Sequence, residues 1–324
     1  MSDLAMFNMI KWNIVVLDEA QNIKNPDAAR TKAVKLLNRE LGIAVTGTPF
    51  ENHMTDIWSL MDFIAPGLMG NLSGFMDMFD DDNESALNIE PILTPLMIRR
   101  KVVEVADDLP ECVVIPEVLR MDNRESLMYE GEREGILSEL AGKKATLASI
   151  QKLRMFCTHP FLIKELGLSG DPAKYSLKYR RLCDILSEIV ECGGKAILFT
   201  SYTGMIDILN NDIPVRFAIP VYKINGSTPV ANRQPIVDSF SAAKGSALLV
   251  LNPRAAGTGL NITAANYVIH YNLEWNPALE DQASARAYRR GQRNTVFVYR
   301  LFYTDTVEQV VNERIGENAI YPTR

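Results

Sequence analysis

Short runs of apolar, mostly β-branched residues recur along the chain, and each is followed by a polar turn and a segment with helical spacing. Continuous apolar runs of this kind predict parallel strands that are buried on both faces. The predicted strands are residues 14–17, 43–45, 196–199, 247–251, 267–269 and 296–302. The expected fold class is therefore α/β with parallel sheets.

The pattern changes between about residues 102 and 174. Strand signals nearly vanish there, and charged sequence with apolar residues three and four positions apart predicts helices. A stretch with Gly167, Gly170 and Pro172 then predicts a linker. We therefore expect a first lobe in residues 1–105, a helical insertion and linker in 106–175, and a second lobe in 176–324.

Composition agrees with two folded lobes, because 324 residues exceed one ordinary core of roughly 150 residues. The 47% hydrophobic and 23% charged residues are typical of a water-soluble protein, and no apolar run approaches the ~20 residues of a membrane helix. Four cysteines without a C-x-x-C pair predict free thiols in a reducing compartment. The net charge of -6 argues against coating nucleic acid by bulk charge but permits a local basic groove.

Two adjacent carboxylates, Asp18 and Glu19, follow the first predicted strand in "NIVVLDEAQNIKNP". Ligands of open parallel sheets bind beyond the carboxyl ends of the strands. One acid there can hold a divalent ion and the next can polarise water, as in nucleotide hydrolysis. The alternative is a helix N-terminus, where acidic side chains satisfy free amide groups.

Two further signals strengthen the interpretation as a nucleotide site. Thr46, Gly47 and Thr48 form a hydroxyl-glycine-hydroxyl turn after the second predicted strand, although the turn could simply cap a helix from Pro49. Far downstream, "QASARAYRRGQ" places two arginines three apart on a predicted helix, where they are either solvated surface or a pair of arginine fingers.

Taken in order, these segments resemble the Swi/Snf-like ATPases, the DNA-translocating branch of helicase superfamily two. The matching stretches are "LDEAQNIKNP" (a Walker B motif), "TGTPFEN", "LMIRRKVVEVADDLPE", "LRMFCTHPFL", "KAILFTSYTGMIDIL", "INGSTPVANRQPIVDSF", the run from Asn252 to Gln292, and "VYRLFYTDTVEQVV". They span nearly all of the chain. The match to "LRMFCTHPFL" also argues against a metal site at Cys157 and His159.

The resemblance implies two RecA-like lobes, the first incomplete, and ATP, Mg²⁺ and double-stranded DNA as ligands. Asp18 and Glu19 would form the metal site, with Glu19 also orienting the attacking water. Arg286 and Arg289 would be the arginine fingers. The other nucleotide-site positions would be Gln21, Thr46, Gly47, Thr48, Gly257, Thr258, Gly259 and Gln282.

The resemblance also implies a DNA contact at Ser227 and Thr228. With Thr228 as N-cap and Pro229 in the first helical turn, free amides there can face a backbone phosphate. Departures from the family pattern are Asn225, Ala285, Tyr288 and Arg290. Both expected fingers remain, so hydrolysis is not excluded, whereas the departures bear on the coupling of DNA to nucleotide.

A phosphate-binding loop ending in Gly-Lys-Thr or Gly-Lys-Ser is absent from these 324 residues. "GGKAIL" precedes a strand instead of following one, and "AGKKAT" lies in helical sequence. Seventeen residues precede Asp18, so we expect a second polypeptide, or a lost segment, to supply the Walker A part.

The predicted function is that of the C-terminal portion of an ATP-dependent duplex-DNA translocase or remodeller, with hydrolysis by the complete assembly and little by the chain alone. The alternative is a non-catalytic DNA-binding or regulatory module that kept the fold. The expected location is the cytoplasm of a bacterium or of a virus-infected host cell, with no membrane partner.

Overall fold

Every strand pairing among the described residues is parallel, which confirms the predicted α/β class. The computed structural model describes residues 3–47, 53–98, 109–140, 147–256 and 259–318. The chain forms two compact units, Met1–Val105 and Ala106–Arg324. The predicted helical insertion, residues 106–175, thus belongs to the same compact unit as residues 176–324.

The first unit has a two-stranded sheet of β1 (Trp12–Leu17) and β2 (Arg39–Ala44) within the described residues. The helices described in this unit are α1 (Leu4–Asn8), α2 (Ala29–Lys35), α3 (Met54–Ile64), α4 (Leu72–Met78) and α5 (Asn83–Leu93).

The second unit is built on a six-stranded sheet in the described part of the chain, with the order β3-β8-β7-β4-β6-β5. Its strands are β3 (Cys112–Leu119), β4 (Lys195–Phe199), β5 (Val221–Ile224), β6 (Ala247–Leu251), β7 (Tyr267–His270) and β8 (Val296–Tyr303). Its helices are α6 (Asn123–Leu140), α7 (Leu147–Thr158), α8 (Leu177–Glu191), α9 (Thr203–Phe217), α10 (Val230–Ala242), α11 (Pro253–Ala256), α12 (Pro277–Ser284) and α13 (Val307–Asn318).

One face of the first sheet packs on α3. Phe63 and Leu60 of this helix lie in a core with apolar residues of β1 and β2. Gly42 permits the close approach, because a Cβ at this position would lie 2.6 Å from the backbone oxygen of Phe63. Arg39 fixes the same carbonyl, since its Nη2 donates to Phe63 O at 2.7 Å.

The other face of the first sheet is apolar and exposed. Ile14 pairs with Leu41, and Val16 pairs with Ile43, so these side chains are neighbours on one face. The five apolar residues that we call the open face are exposed by 40–56%: Ile14, Val16, Leu41, Ile43 and Val45. The prediction of strands buried on both faces was therefore wrong for this unit.

The central strands of the second sheet are buried on both faces, as predicted. All five residues of β6 are buried, and apolar clusters cover the two sides of the sheet. Two strands were missed, and both lie at the edges of this sheet in the described residues. The prediction that strand structure nearly vanishes between 102 and 174 was wrong for β3, which pairs along its whole length with β8.

A buried histidine in this core predicts a specific acid sensitivity. Burial, with a smaller contribution from the Arg300 charge, lowers the pKa of His270 from 6.5 to about 3. The unfolded chain therefore binds the proton first as the pH falls below 6.5, and the stability that neutral His270 supports is lost in that range. Between pH 7 and pH 5 this group alone should lower the free energy of unfolding by about 2 kcal/mol.

His270→Gln tests this expectation, because glutamine does not titrate but can still hydrogen-bond Ser284, whose Oγ lies 2.7 Å from His270 Nε2. Urea unfolding at pH 7 and pH 5 should show a smaller acid-induced loss of stability in the variant than in the wild type. An equal loss in both proteins would contradict the assignment.

No helix in the described ranges combines the length and apolar composition that crossing a membrane requires.

Candidate nucleotide and nucleic-acid site

The candidate acids lie in a sharp turn at the carboxyl end of β1. Asp18 is exposed and Glu19 is half-buried, and the Glu19 amide donates to Asp18 Oδ1 at 2.9 Å. Glu19 adopts a left-handed backbone with φ 49°, which costs roughly 1–2 kcal/mol in a residue other than glycine. The turn brings Ala20 back to the end of β2, where its amide donates to Val45 O at 2.9 Å.

A chain of side-chain hydrogen bonds links this turn to the residue that follows β2. Gln21 Nε2 donates to Glu19 Oε2 at 2.6 Å, and Thr46 Oγ1 donates to Gln21 Oε1 at 2.6 Å. The buried Ile23 anchors the end of the short helical turn, because Ser59 of α3 donates to its carbonyl at 2.7 Å. Four predicted residues, Asp18, Glu19, Gln21 and Thr46, are thus brought together in one cluster.

The cluster presents two adjacent carboxylates, a side-chain amide and a hydroxyl group at one strand end. Adjacent carboxylates at an exposed strand end suit a hard divalent ion, which prefers oxygen ligands and retains several waters. Gln21 holds one Glu19 oxygen and so sets the orientation of the carboxylate. The alternative of a cap is met only in part, because Asp18 Oδ1 accepts from the Glu19 amide while the Glu19 side chain does not cap the helical turn Ala20–Ile23. Gly47 is exposed beside Thr46, and Thr48 and Pro49 lie outside the described residues.

The prediction that the two candidate fingers share a helix was wrong. Helix α12 ends at Ser284, and Arg286 and Arg289 lie in the turns that follow, both half-buried. The Arg286 carbonyl accepts from Ile262 N at 3.0 Å, and the Arg289 carbonyl accepts from Gln292 N at 3.0 Å. A backbone contact with the distant Ile262 and a local turn at Arg289 therefore place these two residues outside a helix.

Gln292 holds this arginine turn, and we did not single it out from the sequence. Its buried side-chain nitrogen donates to the carbonyls of Ala265 at 2.9 Å, Thr263 at 3.2 Å and Ala287 at 3.4 Å. The segment 262–265 follows residues 257–259, which were predicted as nucleotide-site positions. Gln292 ties this segment to the arginine turn. The polar residue at the end of the motif "RRGQ" is the sequence feature that could have pointed to this role of Gln292.

The predicted loop residues are only partly described. Gly259 is exposed with φ 74°, a conformation that favours glycine, whereas Gly257 and Thr258 lie outside the described residues. Gln282 is half-buried on α12.

The role of Thr228 as N-cap was predicted wrongly. Helix α10 begins at Val230 with Pro229 at the N-cap position. Thr228 instead closes a turn with Asn225, since its Oγ1 accepts from Asn225 N at 3.1 Å and lies 3.1 Å from Asn225 Oδ1. Ser227 is exposed in the same turn, and its Oγ donates to Asn225 Oδ1 at 2.7 Å.

His159 is held as a neutral ring inside the second unit. Its Nδ1 accepts from Phe161 N at 3.0 Å, and its Nε2 donates to Pro172 O at 3.2 Å. Burial lowers the pKa of His159 to about 4. Cys157 is buried in the adjacent apolar cluster.

Comparison with known proteins identifies the family. Residues 1–162 match the family model of the SNF2-related domain, which is half of the chain, and residues 177–291 match the helicase conserved C-terminal domain. The chain belongs to the SNF2-related family.

Relatives of this SNF2-related chain occur in bacteria and eukaryotes. The Zorya protein ZorD of Escherichia coli is 34% identical over 329 residues, and the DNA repair and recombination protein RAD26 of Saccharomyces cerevisiae is 31% identical over 335 residues. Each alignment covers 94% of this chain and 30% of the relative. The chain thus spans about a third of the length of these relatives.

A solved structure extends the likeness to the fold. The Sulfolobus solfataricus SWI2/SNF2 ATPase core in complex with double-stranded DNA has 32% sequence identity and a TM-score of 0.56. The alignment covers 97% of this chain and 69% of that chain. The SNF2-related chain corresponds to the C-terminal part of such an ATPase core, whose two lobes are RecA-like.

Proposed function

We propose that this SNF2-related chain is the C-terminal portion of a DNA-dependent ATPase that moves along duplex DNA. The observation that carries the proposal is the hydrogen-bonded cluster of Asp18, Glu19, Gln21 and Thr46 at the carboxyl end of a parallel sheet. The turn with Arg286 and Arg289 supplies the positive groups that phosphoryl transfer requires. A family structure bound to double-stranded DNA supports duplex DNA as the track.

Each group has a defined role in this proposal, and Glu19 has two. Asp18 and Glu19 would hold Mg²⁺, which when bound neutralises charge on the phosphates. Glu19 orients the attacking water, while Gln21 keeps its carboxylate in place and Thr46 and Gly47 relay the state of the phosphates to the unit. We propose Gly257, Thr258, Gly259 and Gln282 as further nucleotide-binding positions. Ser227 and Thr228 contact the DNA backbone.

The open face supports a docking place for the phosphate-binding segment of the first lobe. Four of its five side chains are apolar neighbours on adjacent parallel strands, and Val45 directly follows β2. Such a surface is one that a further layer of an α/β domain covers. We propose that the occupant is the part of the first lobe that carries the Gly-Lys-Thr or Gly-Lys-Ser loop. Exposed apolar faces of this kind mark interaction sites.

Reconstitution tests this function. The chain alone should hydrolyse ATP no faster than background, with or without duplex DNA, because its acids and arginines have no phosphate cradle. Co-expression with the matching N-terminal segment of a family ATPase core should yield DNA-stimulated hydrolysis. A triplex-displacement assay should then report movement along duplex DNA.

A matched pair of variants tests the docking surface. Ile43→Lys places a charge on the open face and should prevent reconstitution. Leu36→Lys is the control and should leave reconstitution intact, because it places the same charge at an exposed apolar residue outside the open face. Leu36 lies at the end of α2 and is 67% exposed. Robust hydrolysis by the lone chain would refute the proposal. DNA binding without hydrolysis by a stable reconstituted assembly would favour a non-catalytic module.

A further inference from the structure

Helix α7 ends against the segment 271–276, which connects β7 to α12 and is called here the finger-side loop. Arg154 of α7 is 8% exposed, and its Nη2 donates to Leu273 O at 2.6 Å. The same guanidinium lies over the ring of Trp275, 5.3 Å from the ring centroid. One buried arginine therefore holds both the backbone and a side chain of this loop.

The last residue of α7 holds the beginning of the same loop. Thr158 is fully buried, and its carbonyl accepts from Tyr271 OH at 3.1 Å. Its Oγ1 accepts from Asn272 Nδ2 at 2.7 Å, and Asn272 Oδ1 accepts from Thr200 Oγ1 at 2.7 Å. The loop is thereby fixed both to α7 and to the carboxyl end of β4.

The far end of the loop is joined rigidly to α12. Asn276 caps this helix by accepting from Ala278 N at 3.0 Å. Glu280 of α12 reaches back, so that one carboxylate oxygen accepts from Glu274 N at 2.8 Å and the other accepts from Arg300 Nε at 2.9 Å. A shift of the loop would therefore move α12 and the arginine turn that follows it.

We propose that Arg154 is a positioning residue for hydrolysis, because it sets the start of α12 and hence the placement of Gln282, Arg286 and Arg289. The catalytic part of this inference rests on the proposed function. Arginine suits the task because its planar guanidinium can stack flat on an aromatic ring while its fork of donors, which lysine lacks, reaches a carbonyl. Burying a charge in this way is expensive and is a poor source of stability, so a role in fixing geometry accounts better for its presence.

Hydrogen exchange on the full chain tests the clamp without any activity. Arg154→Lys should accelerate amide exchange about 10-fold between residues 273 and 292, with β4 and β6 unchanged. Arg181→Lys is the matched control and should leave exchange between residues 273 and 292 unchanged. It weakens a paired arginine on α8 whose Nε and Nη2 donate to Glu117 of β3, at 2.9 and 2.7 Å, and not to the finger-side loop. Unchanged exchange in this region, or equally faster exchange throughout the unit, would overturn the clamp.

A second pair of variants, at Thr158, tests the same clamp in case Arg154→Lys fails to fold. Thr158→Val removes the hydrogen bond to Asn272 and should accelerate exchange in the same region, whereas Thr158→Ser keeps the hydroxyl and should behave as wild type. If both variants behave alike, the hydroxyl does not hold the loop and the clamp is refuted at this point.

Kinetics of the reconstituted assembly test the catalytic consequence. Arg154→Lys should lower the DNA-stimulated kcat about 10-fold, with the KM for ATP and the affinity for duplex DNA within about 2-fold. An unchanged kcat despite faster exchange would refute the positioning role. If the wild-type assembly shows no hydrolysis, the proposed function fails, and the exchange experiment still decides whether Arg154 holds the loop.

Discussion

Replacing Glu19 by glutamine in the reconstituted assembly is expected to lower the DNA-stimulated rate of ATP hydrolysis about 100-fold or more. The amide is almost isosteric with the carboxylate, so the hydrogen bond that Gln21 makes at 2.6 Å has a partner in the same place. What the variant loses is the negative charge that polarises the attacking water. A coupled ATPase assay at saturating duplex DNA measures the effect.

Binding of a fluorescent ATP analogue should remain within a few-fold of wild type, because the loss falls on the chemical step. Glu40→Gln is the matched control in the same unit, since Glu40 is exposed and pairs only with exposed Lys11, at 2.7 Å, among the ion pairs described. Wild-type hydrolysis by the Glu19 variant would remove the central element of the proposed site.

Replacing Arg289 by alanine is expected to lower kcat about 1000-fold, which is the size of effect that arginine fingers have in phosphoryl transfer. The guanidinium stabilises charge that develops only in the transition state, so ATP binding should change little. Arg289→Lys should recover little activity, because a lysine lacks the planar fork of donors. The same assay on Arg286→Ala asks whether both arginines act.

Arg293→Ala provides the control for overall charge. Arg293 is exposed just beyond the arginine turn, and its replacement removes one positive charge from the same region. At saturating DNA this control should stay within about 3-fold of wild type. Equal losses in the Arg289 and Arg293 variants would indicate a general electrostatic effect and would contradict a finger.

The strands that sequence reasoning found and missed differ in their position in the sheet. The central strands are buried on both faces and are continuous apolar runs, so their pattern is visible in the sequence. The missed strands, β3 and β5, lie at the edges of the described sheet. β3 contains Pro116 and Glu117, which are tolerated at an edge but interrupt the apolar pattern that marks a strand.

The arginine turn shows a different limit. Spacing of three residues predicted one helical face for Arg286 and Arg289, but the helix ends at Ser284. The contacts that redirect the chain come from Ile262 and from the side chain of Gln292. These partners are distant in sequence or lie outside any helical period, so a local pattern does not contain them.

The turn at Thr228 was decided by competition between two local hydrogen bonds. Threonine before proline is a good capping pair in sequence terms. In the structure, the threonine hydroxyl bonds Asn225 instead and so closes the turn. Asparagine commonly forms such local hydrogen bonds in turns. The turn at Asn225 and a cap by Thr228 were therefore both compatible with the sequence, and only the structure shows which one forms.

The sequence by itself determined the fold class, the positions of the central strands, and the chemical groups that end those strands, because burial on both faces and acids after a strand are local, one-dimensional signals. Only the tertiary structure decided which groups meet. It brought Thr46 onto Gln21, which holds Glu19, it placed Arg154 against a distant loop, and it ended the helix before the two arginines. Apart from the local bond between Gln21 and Glu19, these outcomes depend on hydrogen bonds between residues 25 to 119 positions apart. The energies of those bonds are set by the packing of whole elements and not by the residues near them in the chain.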